Sequence, residues 1–249
     1  MSVIWLNGDF VAADKPALLA HDRGLTLGDG LFETIAVKAG VPLRLDAHLK
    51  RLRDGADFLG LTVPAGDQVL HDAILGLLGA NGMEGEAAVR LTLTAGPGPR
   101  GLPRPDAPTP TLMLAAGRIP AEAPPAKLVI ARTTCRNEKS PLSRLKTLNY
   151  LDSIIARREA TARGADDAVM LNSQGRVAEA TAANIFLSLD GHWVTPTVAE
   201  GALPGTMRAA LLKNWRAEEQ AVTVDELRRA DDMVLTNALG LRKVARVLD

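Results

Sequence analysis

A chain of 249 residues with 29 basic and 29 acidic side chains has no net charge, which excludes a chain-wide attraction to nucleic acid or to an anionic membrane. One cysteine, Cys135, excludes an internal disulfide framework and a cysteine-rich zinc site and fits a reducing cytoplasm. MSVIWLNGDF lacks the basic region and apolar core of a signal peptide, and no apolar run is long enough to span a bilayer, so a soluble intracellular protein with room for one or two cores is expected.

Val3–Leu6, Asn7-Gly8 and Phe10–Ala12 read as a hairpin, because Asn-Gly supplies the positive backbone angles of a tight turn. In HDRGLTLGDGLFETIAVKAGVPLRL, Gly24, Gly28 and Gly30 mark a loop. Leu31–Val37 is then a strand, Ala39-Gly40 a turn and Pro42–Leu45 a short return. Asp46–Leu61 is expected as a helix capped by Asp46, with Leu49, Leu52, Ala56 and Leu59 as its apolar stripe. Gln68–Leu78 is a second helix, and AAVRLTLT, Ala87–Thr94, alternates like a half-buried strand. Thr94–Pro110 is too rich in Gly and Pro for a regular element. It contains GPGPRG, Gly96–Gly101, which matches a dinucleotide fingerprint in form only: Pro97 and Pro99 remove backbone donors, and more prolines follow where a helix is needed. Thr111–Ala115 is another strand.

GRIPAEAPPA, Gly117–Ala126, reads as a linker between a first domain over residues 1–116 and a second over 127–249. Beyond it come strand Leu128–Thr133 and a helix through SPLSRLKTLNYLDSIIARREA. There Leu145, Leu148, Leu151, Ile154 and Ile155 recur at helical spacing, and Lys146 falls in the first turns. Strands Asp167–Leu171, Arg176–Glu179, Ile185–Leu189 and His192–Thr195 follow. Helices Pro204–Asn214 and Asp225–Ala230, strand Asp232–Thr236 and an end strand near Lys243–Val247 complete the chain. Both halves mix strands and helices, so the fold class expected is α+β in two domains.

Four features of the second half converge. Lys146 is a Schiff-base amine candidate, against the ordinary reading of a solvated lysine. Glu179, in RVAEATAANIF, puts a carboxylate where a strand favours a small or apolar residue; the plain alternative is an exposed strand end. ALPGTMRAALL opens a helix whose backbone N–H groups suit a phosphate, or whose Thr206 is a simple cap. LTNALG brings Thr236 and Asn237 to a strand end, as phosphate donors or as a turn. From the first half, Arg51 could add a cationic clamp, or could be a plain helix-surface arginine. A lysine, a carboxylate and a phosphate nest are what pyridoxal 5′-phosphate requires: an amine for the aldehyde, a carboxylate for the pyridine nitrogen and donors for the phosphate. The histidines His21, His48, His71 and His192 are scattered without metal-like spacing, so no metal site is expected.

DRGLTLGDGLFETI, AHLKRL, SRLKTLNYL, ADDAVMLNSQGRVAEATAANIF, LPGTMR and MVLTNAL, in this order, resemble the motifs of class IV pyridoxal-phosphate enzymes of fold type IV, from about Asn7 to about Val244. That family includes branched-chain aminotransferases, D-amino-acid transaminases and aminodeoxychorismate lyases. The resemblance implies a small N-terminal domain, a larger C-terminal cofactor-binding domain, a cofactor in the interdomain cleft and a homodimer. By it, Lys146 binds the cofactor aldehyde and shuttles the proton, and Glu179 pairs with the pyridine nitrogen. Arg51, Thr206, Met207 through its N–H, Thr236 and Asn237 hold the phosphate, and Leu203 packs against the ring.

Within the family, D-amino-acid transaminases trap the substrate carboxylate with tyrosine, arginine and histidine where this chain has Phe32, Arg100 and Leu102. Branched-chain enzymes usually carry FEGIR where it reads FETIA. The resemblance to aminodeoxychorismate lyases is closer: Arg90 and Arg100 fit their carboxylate-binding positions, and Thr34 matches a threonine that protonates the departing pyruvyl group. Ala95 departs from an arginine common among relatives, and Arg90 also suits a transaminase that grips its carboxylate from that strand. The expected reaction is conversion of 4-amino-4-deoxychorismate to 4-aminobenzoate and pyruvate. A transaminase for D-amino acids or R-amines is the alternative, and a non-enzymatic cofactor-binding module the remaining class.

Overall fold

The Asn7-Gly8 turn takes φ values of +49° and +114° and joins β1 (Val3–Leu6) to β2 (Asp9–Ala12) in an antiparallel hairpin. The structure, a computed structural model, describes residues 2–15 and 18–249. The expected Gly-rich loop holds a short helix, α1 (Arg23–Leu27), because Asp22 caps it by accepting the Gly24 N–H at 2.8 Å and Gly28 ends it at φ +66°. β3 (Gly30–Lys38) turns through Ala39-Gly40 into β4 (Val41–Pro42). α2 (Leu45–Leu59) starts earlier than expected: Arg44 stands at its N-cap, and Asp46 lies in the first turn, where its charge still favours the helix end. α3 (Asp67–Asn81), β5 (Glu86–Thr94) and β6 (Thr111–Gly117) follow, with no regular element among the residues between β5 and β6.

The six strands form one antiparallel sheet in the order β2-β1-β6-β5-β3-β4. Strand alternation gives it two unlike faces. Leu31, Ile35, Val89, Leu91, Leu93, Leu112, Leu114 and Trp5 are buried on the face that α2 and α3 pack against. Phe32, Thr34, Arg90, Thr92, Met113 and Ala115 lie on the other face.

The second unit begins with β7 (Ala126–Ile130), followed by a 3₁₀ turn at Pro141–Arg144. The expected helix then fails to start. Leu145 is extended, Lys146–Leu148 run as a strand-like stretch along β3, and α4 (Leu151–Ala162) begins only at Leu151. The apolar repeat does not mark a core stripe either. Leu151, Ile154 and Ile155 are 72%, 52% and 42% exposed, whereas α4 buries Ala156 and Ala160 against Val129, Ala131, Ala168 and Met170.

β8 (Asp167–Leu171), β9 (Val177–Ala180), β10 (Asn184–Leu189), β11 (His192–Pro196), α5 (Thr206–Asn214), β12 (Glu218–Gln220), α6 (Val224–Arg229), β13 (Asp232–Asn237) and β14 (Gly240–Leu248) complete the chain. Their sheet has the order β12-β11-β10-β13-β14-β7-β8-β9 and mixes parallel with antiparallel pairs. A bridge between Val177 and Val222 returns its last strand to the chain after β12, so the sheet curls around Leu128, Val169, Ile185, Leu187 and Leu235. The chain thus divides into two units, Met1–Pro120 with Lys146–Leu148, and Ala121–Leu145 with Asn149–Asp249. No helix among the described residues is long and apolar enough to cross a membrane.

Asp22 serves the first unit beyond its cap: the Thr94 and Thr111 hydroxyls both donate to its Oδ2 at 2.9 Å. Asp22→Ala leaves two buried hydroxyls and an amide without their acceptor, so a loss of about 3 kcal/mol is expected. Urea unfolding with an unchanged slope measures it; a loss below about 0.5 kcal/mol would contradict this account.

Candidate active site

Lys146 is held by sheet backbone. Its carbonyl accepts the Phe32 N–H at 2.9 Å, the Leu148 N–H donates to Gly30 O at 3.0 Å, and Thr147 bridges to Leu31. Gly30 permits this approach, since a Cβ there would stand 2.3 Å from the Leu93 carbonyl and 2.9 Å from Leu148 Cδ1. The Lys146 Nζ lies 4.3 Å from the centre of the Phe32 ring, and the Arg90 guanidinium carbon 3.7 Å from it. Two cations thus share one aromatic ring at cation–π distance. Thr34 stands opposite Arg90 in the β3–β5 register. The structure therefore brings Lys146, Phe32, Arg90 and Thr34 to the helix-free face of the first sheet. Arg100 and Leu102 are exposed on the loop before β6. Ala95 is fully buried at its base and donates its N–H to Asp29 O, so position 95 adds no side chain to the loop's surface.

Arg51 turns to a partner on the helix-covered side of β3. It donates Nε to Glu33 Oε1 at 2.8 Å and Nη2 to Oε2 at 2.6 Å, and His48 Nδ1 lies 2.7 Å from Oε2. Burial alone would raise the Glu33 carboxyl, but hydrogen bonds from His48 and Arg51 hold it below the usual carboxylate range. His48 is fully buried, so it belongs to the core, whereas His21 and His192 are exposed and His71 is half-buried.

The second unit assembles the other expected residues. Glu179 on β9 is buried rather than exposed at a strand end. It accepts the Leu203 N–H at 3.0 Å and the Asn184 Nδ2–H at 3.3 Å, and pairs with Arg136 at 3.2 Å. Arg136 is itself fixed by the Gly201 and Ser143 carbonyls. Asn184 also donates to Leu203 O at 2.9 Å and faces Thr236 in the β10–β13 register. A Cβ on Gly205 would sit 2.2 Å from Asn184 Oδ1, so α5 starts at Thr206 pressed against that amide. Met207 follows in its first turn.

The Thr236 hydroxyl is buried with no hydrogen-bond partner among the described residues. Beside a helix N-terminus, a buried hydroxyl lacking a partner suits an anion with acceptor oxygens. Asn237 is committed locally, accepting from the Leu239 N–H and donating to Ala182 O. These residues fit the phosphate and ring of pyridoxal phosphate. Arg136 and Asn184 had not been singled out from sequence. Asn184 opens an otherwise apolar strand, the same anomaly that marked Glu179; Arg136 lies in TTCRNEK, which has no pattern to betray it.

Residues 30–247 match the family described as amino-transferase class IV. A protein of Methanocaldococcus jannaschii, provisionally named a branched-chain-amino-acid aminotransferase, is 33% identical over 94% of this chain and 83% of its own. The solved 4-amino-4-deoxychorismate lyase of Pseudomonas aeruginosa is also 33% identical, with a TM-score of 0.83 over 98% of this chain and 91% of that one. The branched-chain amino acid aminotransferase of T.th., complexed with N-(5′-phosphopyridoxyl)-L-glutamate, gives a TM-score of 0.89 at 26% identity, over 99% and 85% of the two chains. The chain belongs to the aminotransferase class IV family. It is an enzyme of fold type IV, α+β in class, and its cofactor is pyridoxal phosphate.

Glu33 gives a pH signature. A folded carboxyl held below its ordinary value of about 4.5 contributes stability that is complete above that value and lost as pH falls through the lower folded one. Glu33→Gln should lower the urea midpoint at neutral pH and flatten its decline between about pH 5 and 3. An unaltered acid limb would show that Glu33 does not carry it.

Proposed function

We propose that this enzyme is an aminodeoxychorismate lyase, converting 4-amino-4-deoxychorismate to 4-aminobenzoate and pyruvate. One observation carries the reading: on the helix-free face, the Lys146 amine and the Arg90 guanidinium share the Phe32 ring, with the Thr34 hydroxyl opposite Arg90 in register. A base, a carboxylate-binding cation and a proton donor on one face are the three groups that this elimination needs. The lyase of Pseudomonas aeruginosa, similar along nearly the whole chain, supports it.

Pyridoxal phosphate, when bound, withdraws electrons from the amine-bearing carbon of the substrate. Lys146 would hold the cofactor through its aldehyde, and its amine would take the proton from that carbon of the substrate. The bond to the enolpyruvyl oxygen then breaks and the ring becomes aromatic. Thr34 delivers a proton to the departing enolpyruvate, completing pyruvate. Arg90 and Arg100 bind the substrate carboxylates. Glu179, held by the Asn184 amide and paired with Arg136, would face the protonated pyridine nitrogen. Thr206, the Met207 N–H and Thr236 would hold the phosphate, Asn237 and Arg51 would reach it in addition to their bonds with Ala182, Leu239 and Glu33, and Leu203 would cover the ring.

The second reading is a transaminase acting on D-amino acids or R-amines, supported by the 26% identity to the D-alanine aminotransferase of Bacillus licheniformis over 94% of this chain. Its residues would be nearly the same, with Lys146 again the group that carries the proton; the leaving group of the substrate decides the path.

The test pairs a product assay with a spectrum. The lyase should release 4-aminobenzoate and pyruvate in equal amounts, Lys146→Ala should cut turnover by about 10³-fold or more, and D-alanine without a keto acid should leave the visible spectrum of the holoenzyme in place. Rapid, complete conversion of the cofactor to its amine form would put the transaminase first.

We take the assembly to be a homodimer in the cytoplasm, the compartment to which free Cys135 is suited. Leu151, Ile154 and Ile155 form an outward apolar stripe on α4 of the kind that a second copy covers. Sedimentation should give a dimer, and Ile154→Asp should shift it toward monomer; a monomeric wild type would remove the stripe from any such role.

A further inference from the structure

Between β5 and β6 the chain leaves the sheet through Gly96 and returns at Thr111, and this excursion carries Arg100. Its base is closed tightly. Gly96, at φ +75°, lies so near the Thr109 carbonyl that a Cβ would come within 1.8 Å, the Arg23 N–H donates to Gly96 O at 2.8 Å, and the Gly98 N–H donates to His21 O at 3.2 Å. The far arm is held by one buried guanidinium. Arg23 donates Nη1 to Gly101 O at 3.1 Å and Pro103 O at 3.2 Å, and Nη2 to Leu102 O at 2.7 Å, while Nε goes to Asp29 at 2.9 Å. Three consecutive carbonyls thus converge on a single side chain that is 4% exposed.

Asp29 balances the charge and passes the hold onward: Arg104 donates to both of its oxygens, at 2.5 and 3.0 Å, and to the Leu59 and Gly60 carbonyls. Hydrogen bonding from Arg104 first, and from Arg23 with it, holds the Asp29 carboxyl below its ordinary range against the effect of burial, so the clasp stays ionised at neutral pH. Between the two holds only Pro99 and Arg100 span free. Proline fixes its own φ, and the Arg100 guanidinium is exposed with no partner among the described residues.

We propose that Arg23, through Asp29 and Arg104, is the positioning residue that sets the carboxylate specificity of this enzyme, by tethering the Gly101–Arg104 arm so that Arg100 is presented as a fixed receptor. The inference rests on the reading of Arg100 as a substrate-carboxylate site. A guanidinium is suited to the task because its planar fork reaches three carbonyls and a carboxylate at once, which an ammonium cannot do. Pre-ordering the receptor acts on substrate capture and leaves proton removal at Lys146 unchanged.

The experiment compares Arg23→Gln, Arg100→Ala and the double variant as holoenzymes acting on 4-amino-4-deoxychorismate. Arg23→Gln should raise KM about tenfold with kcat within about threefold and an unchanged cofactor spectrum. Because it acts through Arg100, the double variant should be no worse than Arg100→Ala alone. Trypsin gives a readout independent of turnover: it cuts at Arg100-Gly101 but not before Pro105, and cleavage there should be at least about tenfold faster in Arg23→Gln. A KM raised by Arg100→Ala but not by Arg23→Gln, or two effects that multiply in the double variant, would overturn the proposal. An unchanged KM in Arg100→Ala would instead overturn the receptor reading itself, with the tether judged separately from the trypsin rate. If Arg23→Gln does not fold, Arg104→Gln, on the more exposed side of the same clasp, carries the same expectations.

Discussion

Two backbone hydrogen bonds, Phe32 N–H to Lys146 O and Leu148 N–H to Gly30 O, fix where Lys146 stands. A lysine on a helix surface sweeps a wide volume on a flexible stem. A lysine paired along a strand is constrained at its backbone before any side-chain contact forms, and alternation sends Lys146 and Thr147 to opposite sides. Thr147 is buried, and the amine of Lys146 comes to lie against Phe32. The chain on both sides of these three residues belongs to the other unit, so Lys146 is set by a sheet to which its sequence neighbours do not belong.

Each unit also buries a carboxylate. Glu33 is enclosed by Arg51 and His48, and Glu179 by Arg136, Asn184 and the Leu203 N–H. Burying a carboxylate is unfavourable unless its lone pairs and charge are met, and removing one partner is far more damaging than never having had the pair. Such groups specify geometry more than they add stability. Glu33 ties α2 to β3, and Glu179 ties β9 to the segment leading into α5. Through Asn184 the second network also reaches Gly205 and the strand end at Thr236, so the carboxylate and the helix N-terminus are set by one amide.

Much of this was legible from local pattern. The first hairpin follows from Asn7-Gly8, the β5 strand from its alternation, and the rejection of GPGPRG as a nucleotide loop from its prolines. The ordered motifs gave the family. What failed was the helix through Lys146. Leu145, Leu148, Leu151, Ile154 and Ile155 keep a helical period, but the first two lie outside the helix and the other three face outward. A period records which residues share a side; it says nothing of what covers that side, and long-range pairing with β3 overrode the local preference. The pairing of Arg51 with Glu33 was not legible, because Glu33 spells like any other residue of a strand. Arg23 was hidden in the same way, because carbonyl groups of a distant loop leave no trace in side-chain spelling.

Asp22 accepts from Thr94 and Thr111, the two residues that face each other where the strands part. The mouth of the excursion is therefore sealed by the sheet's own residues, independently of what lies beyond. Lengthening a loop whose ends are already joined costs little entropy. Insertions, deletions and exchanges at the tip are thus insulated from the ladder beneath. The exposed positions of the tip can be rewritten while the folding of the domain stays under separate control.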